Sequence, residues 1–281
     1  FFFFLTANLK ITANVKEIEF EEYKMQTFTG ELLVKDRNIS ISNASFQMAG
    51  TSIAMTGIYE PKHRLLANYK ANFKAQNFDI QRAYAEIPIF NQMVSMAKDA
   101  YGIASLDYTL AGAIDQNMDI DFKAIEGEGT LTLEDIQFKN FKILEHVAKK
   151  ADAQDLDKAN FNQIAIHTTI KNNVMTITPV TMKMAGFRGK LEGQVSMDGK
   201  INIGFRLGLP PMGLINVPMK ITGTADNFEV STGKYKEDTT FAEESELKNI
   251  KAPITRREQR RLDSINSITN NNKILDSIQK S

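Results

Sequence analysis

The side chains best suited to acid–base chemistry or metal binding are three histidines, His63, His146 and His167, which fall on a turn, a helix and a strand. None has a second ligand at the spacing of a metal site. The sequence carries no nucleophile elbow, phosphate-binding loop or dinucleotide fingerprint. It also has no cysteine, which excludes disulfides and thiolate metal sites. We therefore expect no enzyme, no cofactor and no metal.

Two further groups of residues could act on charged ligands. Asp115, Asp119 and Asp121 could bind calcium or serve as paired acids, but Asp119 and Asp121 alternate with apolar neighbours, which favours a solvated strand face. The glycine-rich stretch 127–129 holds Glu128 where a phosphate site would need positive charge. We interpret this stretch as the start of a strand.

The 34 basic and 34 acidic side chains balance, so the chain as a whole has no net positive charge that would attract nucleic acid. Arg256, Arg257, Arg260 and Arg261 cluster near the C-terminus, where they could contact anionic lipid or an acidic partner. The alternative is a solvated helix face. We predict no nucleic-acid partner.

Alternation of apolar and polar residues dominates the elements that would carry any site. It is clearest from Ile201 to Leu209 and at Leu131 and Leu133, and it predicts antiparallel strands with one apolar face. Turn signals separate the strands at short intervals: Asn172–Asn173, Asp198–Gly199, Gln116–Asn117 and Glu60–Pro61. The prediction is a mainly β fold, either a curved antiparallel meander sheet or a sandwich with a groove.

Two or three short amphipathic helices are expected to accompany the sheet. Helical spacing follows Pro88, near 89–100, and recurs near 140–151, where Phe141, Leu144, Val147 and Ala148 form one stripe. Helices of about three turns are too short to be stable alone in water, so each must pack on the sheet. They would cover apolar surface that the strands leave open.

The run GEGTLTLEDIQFKNFKILEHVAKKAD and the closing strand Pro218–Val230, with the pattern P-x-x-I-x-G-T-x-D-N-F-x-V, resemble the C-terminal region of the AsmA-like proteins of Gram-negative envelopes. The similarity extends over about 105–233. It implies a periplasmic β-rich body, held in the inner membrane, that takes part in outer-membrane biogenesis and is related to bridge-like lipid carriers. Phospholipid or another envelope lipid, and envelope proteins, are the partners that the resemblance implies.

Three regions are predicted: a preceding β-rich repeat at 1–104, the AsmA-like region at 105–233, and a charged tail at 234–281 that is partly disordered or helical. The opening Phe1–Leu5 has neither the length nor the basic flank of a signal peptide or membrane span. We interpret it as a cut edge, with a membrane anchor expected upstream.

The predicted function is to carry or shield lipid on an apolar β groove, without catalysis. The alternative is a closed β-sandwich that acts as a structural or partner-binding module without lipid, since a groove wall and a sandwich core show the same alternation. The candidate lipid-contact residues are Leu131, Leu133, Ile136, Phe138, Ile201, Ile203, Phe205, Leu207 and Leu209.

Overall fold

The computed structural model describes residues 8–20, 23–63, 65–115, 120–121, 124–139, 142–153, 156, 161–184, 187–209, 215–224, 227–238 and 241. The fold is mainly β, as predicted: thirteen antiparallel strands form a single curved open sheet in which each strand pairs with its neighbours in the sequence. The described strands follow one another in the sheet in sequence order, without a crossover, which makes the sheet a meander.

The strands are β1 Leu9–Phe20, β2 Tyr23–Lys35, β3 Asn38–Met48, β4 Thr51–His63, β5 Leu66–Asp79, β6 Ala100–Asp115, β7 Glu126–Phe138, β8 Phe161–Lys171, β9 Val174–Met184, β10 Phe187–Ser196, β11 Lys200–Leu209, β12 Ile215–Thr224 and β13 Phe228–Thr232. The helices are α1 Ile80–Glu86, α2 Pro88–Met93 and α3 Lys142–Ala151, with a short 3-10 helix at Ser95–Asp99. The boundary predicted at 104 falls inside β6, and the division into two repeats stays a prediction.

Tight turns connect most strands. Asn172 and Asn173 join β8 to β9 with φ of 49° and 64°, and Asp198–Gly199 lies in the turn from β10 to β11, so both predicted turns are confirmed. The turn predicted at Glu60–Pro61 is wrong, because both residues continue β4 and pair with β5. Pro61 lies beyond the last pair of β4 with β3, at Tyr59, so this part of β4 has no neighbour on that side and is an edge, where proline is tolerated. Gln116–Asn117 lies outside the described residues.

Bulges keep the apolar side chains on one face of the sheet. In β7 the apolar positions change from Leu131 and Leu133 to Ile136 and Phe138, and the register against β6 shifts by one residue there. Asp135 takes up the extra residue with φ 52°, a left-handed conformation that Asp and Asn adopt more readily than most residues. Equivalent shifts occur in β3, β5 and β9. Because a bulge bends its strand, the series also curves the sheet.

Both helical insertions lie at the same end of the strands, here called the helical end. The first connects β5 to β6 and the second connects β7 to β8, and the register places Ala100 opposite Phe138. The single helix predicted near 89–100 is replaced by α2 and the 3-10 helix. Both follow α1, a helix that the sequence analysis did not predict. Asp79 caps α1 by accepting a hydrogen bond from the Arg82 N–H at 2.7 Å.

The α3 helix confirms the predicted amphipathic segment. Leu144, Val147 and Ala148 are buried against the sheet, and His146 stacks edge-on against Phe228 with ring centroids 5.1 Å apart. Phe141, the remaining member of the predicted stripe, lies outside the described residues. The helix therefore covers apolar surface at the helical end, as expected.

The first residues of the predicted tail cross β10 and β11 on the outer face of the sheet, which is the face opposite the apolar side chains of these strands. This strap, residues 234–238, is held by Gln194, whose Nε2 donates to the Asp238 carbonyl at 3.1 Å and whose Oε1 accepts from the Asp238 N–H at 2.9 Å. Tyr235 packs directly over Gly204, where any Cβ would overlap it. Phe241 is also described and is buried. The other residues of the predicted tail lie outside the described residues.

Candidate functional site

A continuous apolar face is the main candidate site on the sheet. Residues that lie directly opposite one another on paired strands share a face. The register aligns Leu106 with Leu131 and Leu131 with Ile166 across β6, β7 and β8. Farther along, Phe205 lies opposite Leu191 on one side and Met219 on the other. The apolar side chains of β1 to β13 therefore form one surface.

The part of this face on β7–β13, together with the helical ends of β5 and β6, is covered, and we call it the covered half. Its side chains pack with α1, α3 and Leu156 into one hydrophobic cluster, in which Leu207 and Leu156 are completely buried. The nine predicted lipid-contact residues all belong to this cluster. Ile136, Ile201, Ile203, Phe205 and Leu207 are buried, and Leu131, Leu133, Phe138 and Leu209 are partly buried against them. In this structure five of the nine are core residues, and lipid contact by any of them stays a prediction.

Away from the helical end, the apolar face of β1–β6 is open over much of its length, whereas at the helical end Phe46, Phe78 and Ala104 are buried. Leu9 and Ile11 on β1 are 49% and 43% exposed, and the apolar positions of the next strands are only half-buried. Among the described residues all strands belong to one sheet, so no second sheet packs on this face. We call this surface the open strip. Its members are Leu9, Ile11, Leu32, Val34, Ile39, Ile41, Met55, Tyr59, Tyr69 and Phe73.

The sequence analysis did not select any member of the open strip. Alternation in β1 is as regular as in the later strands, with apolar or small residues at Leu9, Ile11, Ala13 and Val15. That signal could have identified the strand. Exposure could not have been identified, because an open and a covered strand show the same period.

The opposite face of the open half is polar and carries paired charges. Lys10 and Glu31 form an ion pair at 3.0 Å across β1 and β2, and Lys74 and Asp107 form one at 2.8 Å across β5 and β6. The Lys74 ammonium and the Asn72 amide, both bonded to Asp107, hold the pKa of that carboxyl below its usual value. This face is therefore mainly polar, although Leu33 and Ile58 are exposed on it at 39% and 37%.

The strap carries the most perturbed titrating group of the described residues. Burial raises the pKa of Tyr235 to about 12, and the carboxylates of Glu237, Glu192 and Asp238 act in the same direction. Ionisation of the phenol is therefore disfavoured while the strap covers β10 and β11. This site is on the outer face, away from the open strip.

Tyr108 marks the boundary between the open strip and the covered half. It lies opposite Phe73 of the open strip, and its ring lies over the Gly127–Gly129 segment of β7. Its hydroxyl reaches Thr168 on β8, with Oη and Oγ1 3.0 Å apart. Burial raises the pKa of Tyr108. The glycine-rich stretch is thus the start of a strand, as predicted, and leaves room for an aromatic ring.

The candidate chemical residues do not converge. His63 accepts a hydrogen bond from the Leu65 N–H, His146 contacts the Lys142 carbonyl, and His167 contacts the Thr130 hydroxyl. In the described ranges no group of three histidine, aspartate or glutamate side chains is placed to hold a metal ion. No helix in the same ranges is long and apolar enough to cross a membrane.

Comparisons with protein-family models, with curated proteins and with solved structures find no match to this chain. The resemblance to the AsmA-like proteins stays a prediction that rests on the residues quoted for it.

Proposed function

We propose that this chain is a non-enzymatic envelope protein of outer-membrane biogenesis that shelters the acyl chains of phospholipid or another envelope lipid on the open strip. The periplasm is its proposed compartment, and envelope proteins are its further proposed partners. The compartment and the biogenesis role follow from the resemblance alone. The lipid-binding role has independent support in the shape and polarity of the sheet.

The observation that carries the proposal is the exposure of apolar side chains on one face of β1–β6. Soluble proteins rarely expose a contiguous apolar surface unless it binds something. Leu9, Ile11, Leu32 and Ile41 lie on neighbouring strands of this surface, while helices cover the same face farther along the sheet. A surface that is apolar, elongated and curved fits a hydrocarbon chain better than it fits a polar ligand.

The energetic need for such a surface is large. Exposing a sixteen-carbon acyl chain to water costs on the order of 13 kcal/mol, at about 0.8 kcal/mol per methylene. Six strands spaced about 4.8 Å apart provide a surface about 24 Å wide, and each strand adds length in the other direction. The open strip is therefore large enough to shelter much of an acyl chain.

The covered half supports the alternative function, a structural module without lipid, for its own part of the chain. Phe205 and Leu207 are buried in a core that includes α3, and a closed fold requires such a core. We assign this half to stability and the open strip to lipid. The proposed function then needs only the first six strands, away from the helical end, to remain open.

Native mass spectrometry of protein purified from a bacterial envelope fraction tests the proposal. The double variant Leu32→Asp with Ile41→Asp places charges on the open strip, at two residues that face each other across β2 and β3. The matched control, Leu33→Asp with Ser40→Asp, places the same charges one residue away on the outer face. Phospholipid bound to the wild type and to the control, and lost from the open-strip variant with its circular dichroism retained, is the expected result. A lipid-free wild type would refute the proposal.

A further inference from the structure

The open strip ends at Tyr108. Phe73, the last aromatic residue of the strip, is directly opposite Tyr108 on β6. The next strand, β7, presents Gly127 and Gly129 to the same face, so it contributes no side chain of its own there. The Tyr108 ring occupies that space: a Cβ on Gly129 would overlap the ring, and one on Gly127 would come within 3.0 Å of it.

Several contacts hold the ring in this position. Tyr108 is 9% exposed and packs in a small cluster with Ile125 and Ile170, which closes the face beyond β6 at the end opposite the helices. The hydroxyl is hydrogen-bonded to Thr168, so the polar group is satisfied inside an apolar surface. A hydrocarbon chain that followed the sheet from β1 would meet this buried cluster at β6, where Tyr108 is the member directly opposite Phe73.

We propose that Tyr108 is the end wall of the lipid groove and sets the length of acyl chain that the open strip can shelter. This inference rests on the proposed function, because it concerns the same surface. A chain no longer than the strip is fully covered. Methylenes beyond that length stay in water or fold back, and they add nothing to binding. Tyr108 is thus a specificity residue for chain length.

The test measures binding of lysophosphatidylglycerols that share one headgroup and differ in acyl length by two methylenes at a time. For the wild type, affinity should rise by about fourfold for each sheltered methylene and then reach a plateau. Tyr108→Ala removes the ring above Gly127 and Gly129, so its plateau should move to longer chains. Tyr108→Phe keeps the ring and should keep the wild-type plateau. Tyr108→Leu, which retains more apolar volume, serves if the alanine variant does not fold.

The outcomes separate the two proposals. A shifted plateau for Tyr108→Ala or Tyr108→Leu, with that of Tyr108→Phe unchanged, supports the end wall. Chain-length dependence that is identical in the wild type and in a folded ring-deletion variant overturns the end wall and leaves the lipid-binding function standing. Absence of binding by the wild type at every chain length overturns both.

Discussion

The division of the apolar face into a covered half and an open strip predicts opposite responses to the same kind of mutation. Leu207 is completely buried, so Leu207→Ala removes packed methylenes and leaves a cavity, at a cost of about 3 kcal/mol. Ile11 on edge strand β1 is already 43% exposed, and Ile11→Ala should cost about 1 kcal/mol or less. The expected ratio between the two costs is about three.

Thermal and urea unfolding, followed by circular dichroism, measure both costs. For a chain of this size about 1 kcal/mol corresponds to about 2–4 °C, so Leu207→Ala should lower the Tm by about 6–12 °C. Ile11→Ala should lower it by about 4 °C or less. Equal losses for the two variants would refute the division, since they would mean that β1 is packed as tightly as β11.

Three other features predict measurable effects. Gly129→Ala should lower the Tm by several degrees, because its Cβ would overlap a tyrosine ring and a backbone carbonyl. Gly57→Ala, whose Cβ would have no contact below 3.3 Å, should change the Tm much less. Thermal unfolding compares the two variants, and equal shifts would contradict the packing described. Gln194→Ala removes both hydrogen bonds to Asp238, so limited proteolysis should cut residues 234–238 faster than in the wild type; an unchanged rate would contradict the docking of the strap. Because the folded pKa of Tyr235 is about 12 against about 10 for a free tyrosine, its stabilising contribution is complete below pH of about 10 and is lost as the pH rises to about 12. Tyrosinate absorbance should show one late-titrating group that is absent in Tyr235→Phe, and identical titrations of the two proteins would contradict the assignment.

The class of fold could be predicted from the sequence because alternation and turn residues are local signals. The strands around Leu131 and Ile201, and the turn at Asn172–Asn173, were all identified in this way. Helix α3 was identified from the spacing of its apolar residues. Helix α1 was not, since it is only seven residues long and follows β5 directly at Asp79.

The bulges explain why strict period-two alternation did not assign all the apolar residues of a strand to one face. Ile136 and Phe138 are out of phase with Leu131 and Leu133 in the sequence, yet all four share one face because Asp135 takes up an extra residue. A left-handed aspartate leaves little signal in a single sequence. The prediction at Glu60–Pro61 was wrong for a related reason: proline marks a turn in most settings but is also compatible with a stretch of strand that has a neighbour on one side only.

The sequence could predict the kind of candidate site, but not the residues that form it. Alternation predicted an apolar face, and the structure shows one, but the residues chosen for lipid contact lie in the part that helices cover. Coverage depends on where α1 and α3 pack, which is a tertiary property. For this reason Ile11, Leu32 and Ile41 could not be ranked above Phe205 and Leu207 from the sequence.

The most direct test of lipid binding on the open strip uses a single fluorescent label. The natural chain has no cysteine, so Ile41→Cys and Ser40→Cys each create one attachment site, on the apolar and the outer face of β3 respectively. An environment-sensitive dye is attached to each, and vesicles of phosphatidylglycerol are added. Acyl chains on the open strip should shift the emission of the label at position 41 to the blue and leave that at position 40 unchanged. No shift at position 41, or the same shift at both positions, would contradict the account.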